Sequence, residues 1–121
     1  NVTVYEDDVA LAFMDIFPQA TGHTLVIPKV VSRNFLDFPG DNLGSYMQRV
    51  QKVARAVTSA LSPDGVIITQ FNGAPAGQTV FHLHFHIIPR MDGESLSMHA
   101  HSNQADIVEL QALAEKIKAA F

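Results

Sequence analysis

Three histidines, His82, His84 and His86, take every second position of Phe81-His82-Leu83-His84-Phe85-His86-Ile87. Side chains alternate between the two faces of an extended chain, so the three imidazoles share one face at intervals of roughly 7 Å. Phe81, Leu83, Phe85 and Ile87 take the other face, which marks it as the side turned to a core. Such a row has three competing uses. The imidazoles can be the polar side of an ordinary half-exposed strand. Two of them at i, i+2 can grip a metal ion, although there is no cysteine to help and the adjoining loop offers no carboxylate. Or the middle imidazole can be a nucleophile. A histidine of ordinary pKa, near 6.5, is mostly neutral at pH 7 and keeps one ring nitrogen free to attack. A partner on the other nitrogen would set the tautomer, and flanking imidazoles would donate to an anion. This layout suits attack at phosphorus, where catalysis rests on positioning and on donors aimed at the non-bridging oxygens.

The residues just before the row bear on that choice. In "NGAPAGQTV", Gly73 and Gly77 permit close backbone approach, and Gln78 and Thr79 supply donors ahead of the strand. Alone, the stretch reads first as a hairpin loop. Set against the histidines, it is a candidate phosphate cradle. A second i, i+2 pair, His99 and His101 in "SMHAHSNQ", reads as solvated loop, with an adventitious metal contact as the alternative.

The elements that must hold these residues follow from periodicity. "NVTVYE" and "VALAFMD" read as a hairpin turning at Asp7 and Asp8, and "DIFPQATG" breaks the second strand at Pro18 and Gly22. "HTLVIPK" is a third strand. Leu43, Tyr46, Met47, Val50, Val53, Ala54, Val57 and Leu61 fall on one helical face, with Asp41 or Asn42 as cap and Pro63 after the end. "GVIITQFN" and "TVFHLHFHIIPR" read as strands, the latter the longest. Ile107, Leu110, Leu113, Ala114, Ile117 and Phe121 mark a closing helix capped near Ser102 or Asn103. Strands around a central helix, without βαβ alternation, predict an α+β fold: an antiparallel sheet of about five strands with a central and a C-terminal helix.

Composition narrows the function classes. The 121 residues fit one domain, 1–121, and 47% hydrophobic against 17% charged residues is a globular balance. No apolar run approaches the length of a membrane span, so no membrane partner is expected. A net charge of −4 argues against binding long nucleic acid but leaves a small phosphorylated ligand open. With no cysteine, the redox compartment cannot be read, and a cytoplasmic location is the default. The first residue is Asn1, so a segment was removed or lies outside this sequence.

His82-Leu83-His84-Phe85-His86-Ile87-Ile88 resembles the His-φ-His-φ-His-φ-φ signature of the histidine-triad (HIT) family of nucleotide hydrolases. "LAFMDIFPQATGHTLVIPK" and "NGAPAGQTVFHLHFHIIPR" are similar to the two halves of its Hint-type branch, over residues 11–29 and 72–90. The resemblance implies a HIT-like fold and a nucleoside phosphoramidase or related nucleotide hydrolase. It implies His84 as the nucleophile that takes up the nucleoside monophosphate, His86 on the phosphate, and His82 orienting His84 through its backbone carbonyl. Asp15 would accept from the ribose hydroxyls, with Phe13 and Ile16 against the base. Asn72, Gly77, Gln78 and Thr79 would surround phosphate and ribose, and His23 would stand behind the triad.

Each of these residues also has a plainer use: Asp15 can accept local backbone N–H groups, Phe13 and Ile16 can be core, and His23 can be structural. The resemblance further implies a purine nucleotide substrate of AMP type, a homodimer with one joined sheet, and neither metal nor other cofactor. Two departures stand out. Thr79 replaces the serine of many Hint-type members, keeping the hydroxyl, and the initial family segment that walls the base pocket is largely absent. His86, in place of the glutamine of the nucleotidyltransferase branch, favours hydrolysis over transfer. The alternatives kept open are a dinucleoside polyphosphate hydrolase and a metal-binding or non-catalytic nucleotide-binding protein.

Overall fold

Alternating burial builds the sheet. In β2 (Ala10–Met14), Ala10, Ala12 and Met14 are buried while Leu11 and Phe13 are half-buried; β3 (Thr24–Pro28) repeats the pattern. In the computed structural model, which describes residues 1–94 and 103–121, these strands join β1 (Thr3–Glu6), β4 (Gly65–Thr69) and β5 (Phe85–Arg90). The order is β1-β2-β3-β5-β4 and every pairing is antiparallel. Helix α1 (Leu43–Leu61) packs on β2, β3 and β5, and α2 (Ile107–Lys118) packs on α1, β1 and β2. The core lies between the sheet and these helices, around Met14, Val26, Tyr46, Val57, Ile87 and Ile117. Tyr46 ties the two layers together: its buried hydroxyl donates to the Val26 carbonyl at 2.7 Å. This is the α+β arrangement expected from the sequence, and no helix among the described residues is long and apolar enough to cross a membrane.

The structure departs from the sequence reading at three places. The strand expected from Thr79 to Arg90 begins only at Phe85. Pairing with β3 stops at Phe85–Val26, and the Leu83 N–H donates instead to the Ser32 carbonyl at 2.8 Å, outside any ladder. Strict alternation therefore fails upstream: Leu83 and Ile87 are buried, but Phe81 is 47% exposed beneath the Arg33 guanidinium.

The other two departures are helix caps. Asn42 stands at the N-cap of α1 without a side-chain cap bond, because the turn Gly40–Asn42 runs straight into the helix. Helix α2 is capped by Asp106, whose carboxylate accepts from the Val108 N–H, and not near Asn103. Ser102, His99 and His101 lie outside the described residues.

Candidate active site

Strand register brings the site together on the sheet face opposite the helices. Phe13 pairs with Leu25, Leu25 with His86, and His86 with Thr69, so all four side chains share that face. One step along, the Asp15 N–H donates to the His23 carbonyl at 3.0 Å, which places Asp15 and His23 beside His86. The turn leading into His23 depends on Gly22. Its φ is +90°, and an added Cβ would lie 2.2 Å from Leu61 Cδ1.

Hydrogen bonds then assign the ring protons. His84 Nδ1 lies 2.8 Å from the His82 carbonyl oxygen. A carbonyl only accepts, so Nδ1 carries a proton, and in the neutral imidazole Nε2 keeps its lone pair. On the second chain of bonds, the Gln19 backbone N–H donates to His23 Nδ1 at 3.0 Å. The His23 proton must therefore sit on Nε2, from which it donates to His86 Nδ1 at 3.0 Å. His86 is left with its own proton on Nε2. One backbone amide thus sets two imidazoles and makes His86 Nε2 a donor. Burial holds both His23 and His86 at a pKa of about 4, so both are neutral at pH 7. The His23 Nε2–Asp15 Oδ2 contact of 3.5 Å is accordingly no ion pair at that pH. Burial also raises the Asp15 carboxyl, against the Phe17 N–H that it accepts at 2.8 Å.

Asp15, Gly77, Thr79, His84 and His86 line one cavity of about 780 Å³, together with Gln19, Phe71, Ala74, Pro75 and Ala76. Other candidate residues point elsewhere. The imidazole of His82 leaves the row and donates from Nε2 to the Pro28 carbonyl at 3.2 Å, so only its backbone serves His84. Without a continuous strand, the His84 and His86 rings meet edge to face at 4.9 Å. Gln78 is buried, and its amide spans the Gly73 N–H and the Arg33 and Val80 carbonyls, stapling the loop from inside. Asn72 likewise accepts from the Phe35 N–H and pairs with Gln70. Phe13 and Ile16 do not line the cavity. Gln19 and Phe71 escaped the sequence reading, because a glutamine in a turn and an aromatic closing a strand carry no pattern of their own.

Asp15, His23 and His86 each offer a ligand atom within 4.8 Å of the others, a spacing a divalent cation could bridge. The tautomers work against this use. Capture through His23 Nε2 displaces the proton shared with His86 and forces a proton onto Nδ1, which already faces the Gln19 N–H.

The same two neutral imidazoles give a stability prediction. Between pH 6.5 and 4 the unfolded chain holds more protons at His23 and His86 than the folded one does, so stability falls as pH falls. Asp15, raised in the folded chain, recovers a smaller part. The expected net loss from pH 7 to pH 4 at these sites is about 2–4 kcal/mol, discounting half-buried His86. Urea unfolding across that range measures it, and a loss no greater in wild type than in a His23→Leu variant would contradict it.

A HIT domain profile matches residues 1–93. The chain belongs to the histidine-triad (HIT) family, a family of nucleotide-binding hydrolases. Among solved structures it is similar to the Hit-like protein involved in cell-cycle regulation from Bartonella henselae. That match has a TM-score of 0.92 and 51% identity, over 99% of this chain and 86% of the other. Among curated proteins it is 40% identical to Protein hit of Bacillus subtilis, over 97% of this chain and 83% of the relative. It is 35% identical to the adenylylsulfatase HINT3 of Arabidopsis thaliana, over 85% of this chain and 54% of that protein.

Proposed function

We propose that the protein hydrolyses nucleoside 5′-phosphoramidates, or related conjugates of an AMP-like nucleotide, at the α-phosphorus through a covalent nucleotidyl intermediate on His84. The observation that carries the reading is the 2.8 Å bond from His84 Nδ1–H to the His82 carbonyl, which leaves Nε2 unprotonated in a residue lining the cavity. Nε2 attacks phosphorus and forms an N–P bond. The bond from phosphorus to the leaving amine breaks, and the amine departs with a proton taken from solvent. His86 Nε2–H and the Thr79 hydroxyl donate to the non-bridging oxygens as their charge grows. Water then attacks phosphorus and releases its proton to solvent, and the His84–phosphorus bond breaks with its electron pair returning to the ring. Asp15 accepts from the ribose hydroxyls. No step needs a metal.

Two observations bear on the leaving group. Among the described residues no lysine or arginine lines the cavity, while Phe71, Ala74, Pro75 and Ala76 form an apolar stretch of its wall. A polyphosphate leaving group would meet no side-chain cation there, which favours an amine over a second nucleotide. The Arabidopsis relative's name adds adenylyl sulfate as a third substrate to compare. Competitive assays with an adenosine phosphoramidate, a diadenosine polyphosphate and adenylyl sulfate test the reading. It predicts the highest kcat/KM for the phosphoramidate, and a preference for the polyphosphate would overturn it.

A homodimer belongs to the same proposal. β4 is an edge strand whose Val66 and Ile68 are 37% and 48% exposed, and pairing it with a second copy would satisfy its open backbone. Sedimentation equilibrium measures the mass, and a monomer at micromolar concentration contradicts this part.

A further inference from the structure

Phe71 has no role in the chemistry proposed above, yet it touches the two parts that must stay in place. Its ring centroid lies 5.6 Å from that of His86, at an interplanar angle of 59°. On its other side is the Gly77 turn, closed by the Gly77 N–H donating to the Ala74 carbonyl at 3.0 Å. A Cβ built on Gly77 would stand 3.4 Å from the Phe71 ring, and φ there is +108°. The aromatic ring and the bare glycine therefore fit each other, and both line the cavity.

Other neighbours of His86 are polar, save its cross-strand partner Leu25 on β3. His84 meets it from the lead-in to β5, His23 from the start of β3, and Asp15 from the end of β2; the cross-strand neighbour on β4 is Thr69. With Leu25, Phe71 gives the His86 ring an apolar wall among these hydrogen-bonding groups, and Phe71 is the part of it that lines the cavity. Water admitted at that wall would hydrate the imidazole and let its plane rotate.

We propose that Phe71 is a positioning residue: wedged between His86 and the Gly77 turn, it keeps the His86 Nε2–H aimed at the phosphate oxygens and shields the ring from water. The proposal rests on the reading of His86 as the phosphate donor. It accords with burial as the main cause of the low His86 pKa.

Two variants test it, with imidazole titrations followed by NMR in the ligand-free protein and steady-state kinetics alongside. Phe71→Ala should move the His86 midpoint up from about 4 by about one pH unit or more, toward its ordinary value. Phe71→Leu, which refills most of the volume, should move it less and serves if the alanine variant fails to fold. Turnover should fall about tenfold in kcat for Phe71→Ala with KM changed little, since the lost interaction aims a donor. Recovery of most of that loss in Phe71→Leu is expected. A His86 midpoint unmoved in whichever variant folds, or a loss confined to KM, would overturn the proposal. The titration needs no turnover, so it separates this inference from the parent reading, which fails if an enzyme lacking the His84 imidazole still hydrolyses substrate.

Discussion

Replacing His84 with asparagine should reduce phosphoramidate hydrolysis by about 10⁴-fold or more while leaving the fold intact. The size follows from what is lost. His84 Nε2 is the atom that would bond to phosphorus, whereas the unprotonated nitrogen of His86, Nδ1, is already taken by the His23 Nε2–H. The fold should tolerate the change because the side chain is only half-buried and its hydrogen bond is to the His82 carbonyl, which an asparagine amide can also reach. Nucleotide affinity should survive, since Asp15, Thr79 and His86 remain. Isothermal titration with AMP beside a turnover assay separates the two. Lost binding together with lost turnover would point to a structural role instead.

The second large effect is expected at His23, a residue that touches no substrate in this account. His23→Leu removes the Nε2–H that holds His86 in its donor tautomer, and it strands the Gln19 N–H in a site where His23 is 1% exposed. A His86 ring freed to carry its proton on Nδ1 would turn a lone pair toward the phosphate oxygens. We expect kcat to fall about 10- to 100-fold, less than the 10²- to 10³-fold that removal of an oxyanion donor typically costs, because the His86 ring itself remains. Stability should drop by about 1–3 kcal/mol for the unsatisfied buried groups. The tautomer is readable directly: in wild type, ¹⁵N shifts of His86 should show a protonated Nε2 and an unprotonated Nδ1. The reverse assignment would remove the basis of the prediction.

Only part of this geometry is legible in the sequence. Helix α1 was legible almost residue by residue, because eight apolar positions repeat at helical spacing and a proline follows the end. β2 and β3 were legible as short β-favouring runs bounded by turn residues. The start of β5 was not. Alternation continues unbroken through Phe81-His82-Leu83-His84, yet a strand needs a partner, and the ladder with β3 ends at Phe85–Val26 although β3 itself runs on to Pro28.

The candidate site divides along the same line. His84, His86, Thr79 and Gly77 could be picked out because their types and spacing carry chemistry, and Asp15 through the family resemblance; all five line one cavity. Gln78 and Asn72 carry equally suggestive side chains but spend them on Gly73, Val80, Arg33 and Phe35 backbone groups and on Gln70, a fact visible only once the chain is folded. The relay from Gln19 through His23 begins at a backbone amide, which no residue type announces. Phe71 was hidden by its strand: an aromatic there reads as core until the chain turns at Gly73 and brings the ring against His86.

The central claim is a covalent bond between His84 and a nucleotide's phosphorus, and trapping that species tests it most directly. The enzyme would be mixed with an adenosine phosphoramidate, quenched within a single turnover under conditions that spare phosphorus–nitrogen bonds, and sequenced by mass spectrometry. The account predicts an added adenylyl mass on His84, rising and decaying at the rate of product formation. An adenylyl group found on another residue, or substrate turned over with no enzyme-bound nucleotide at any quench time, would contradict it.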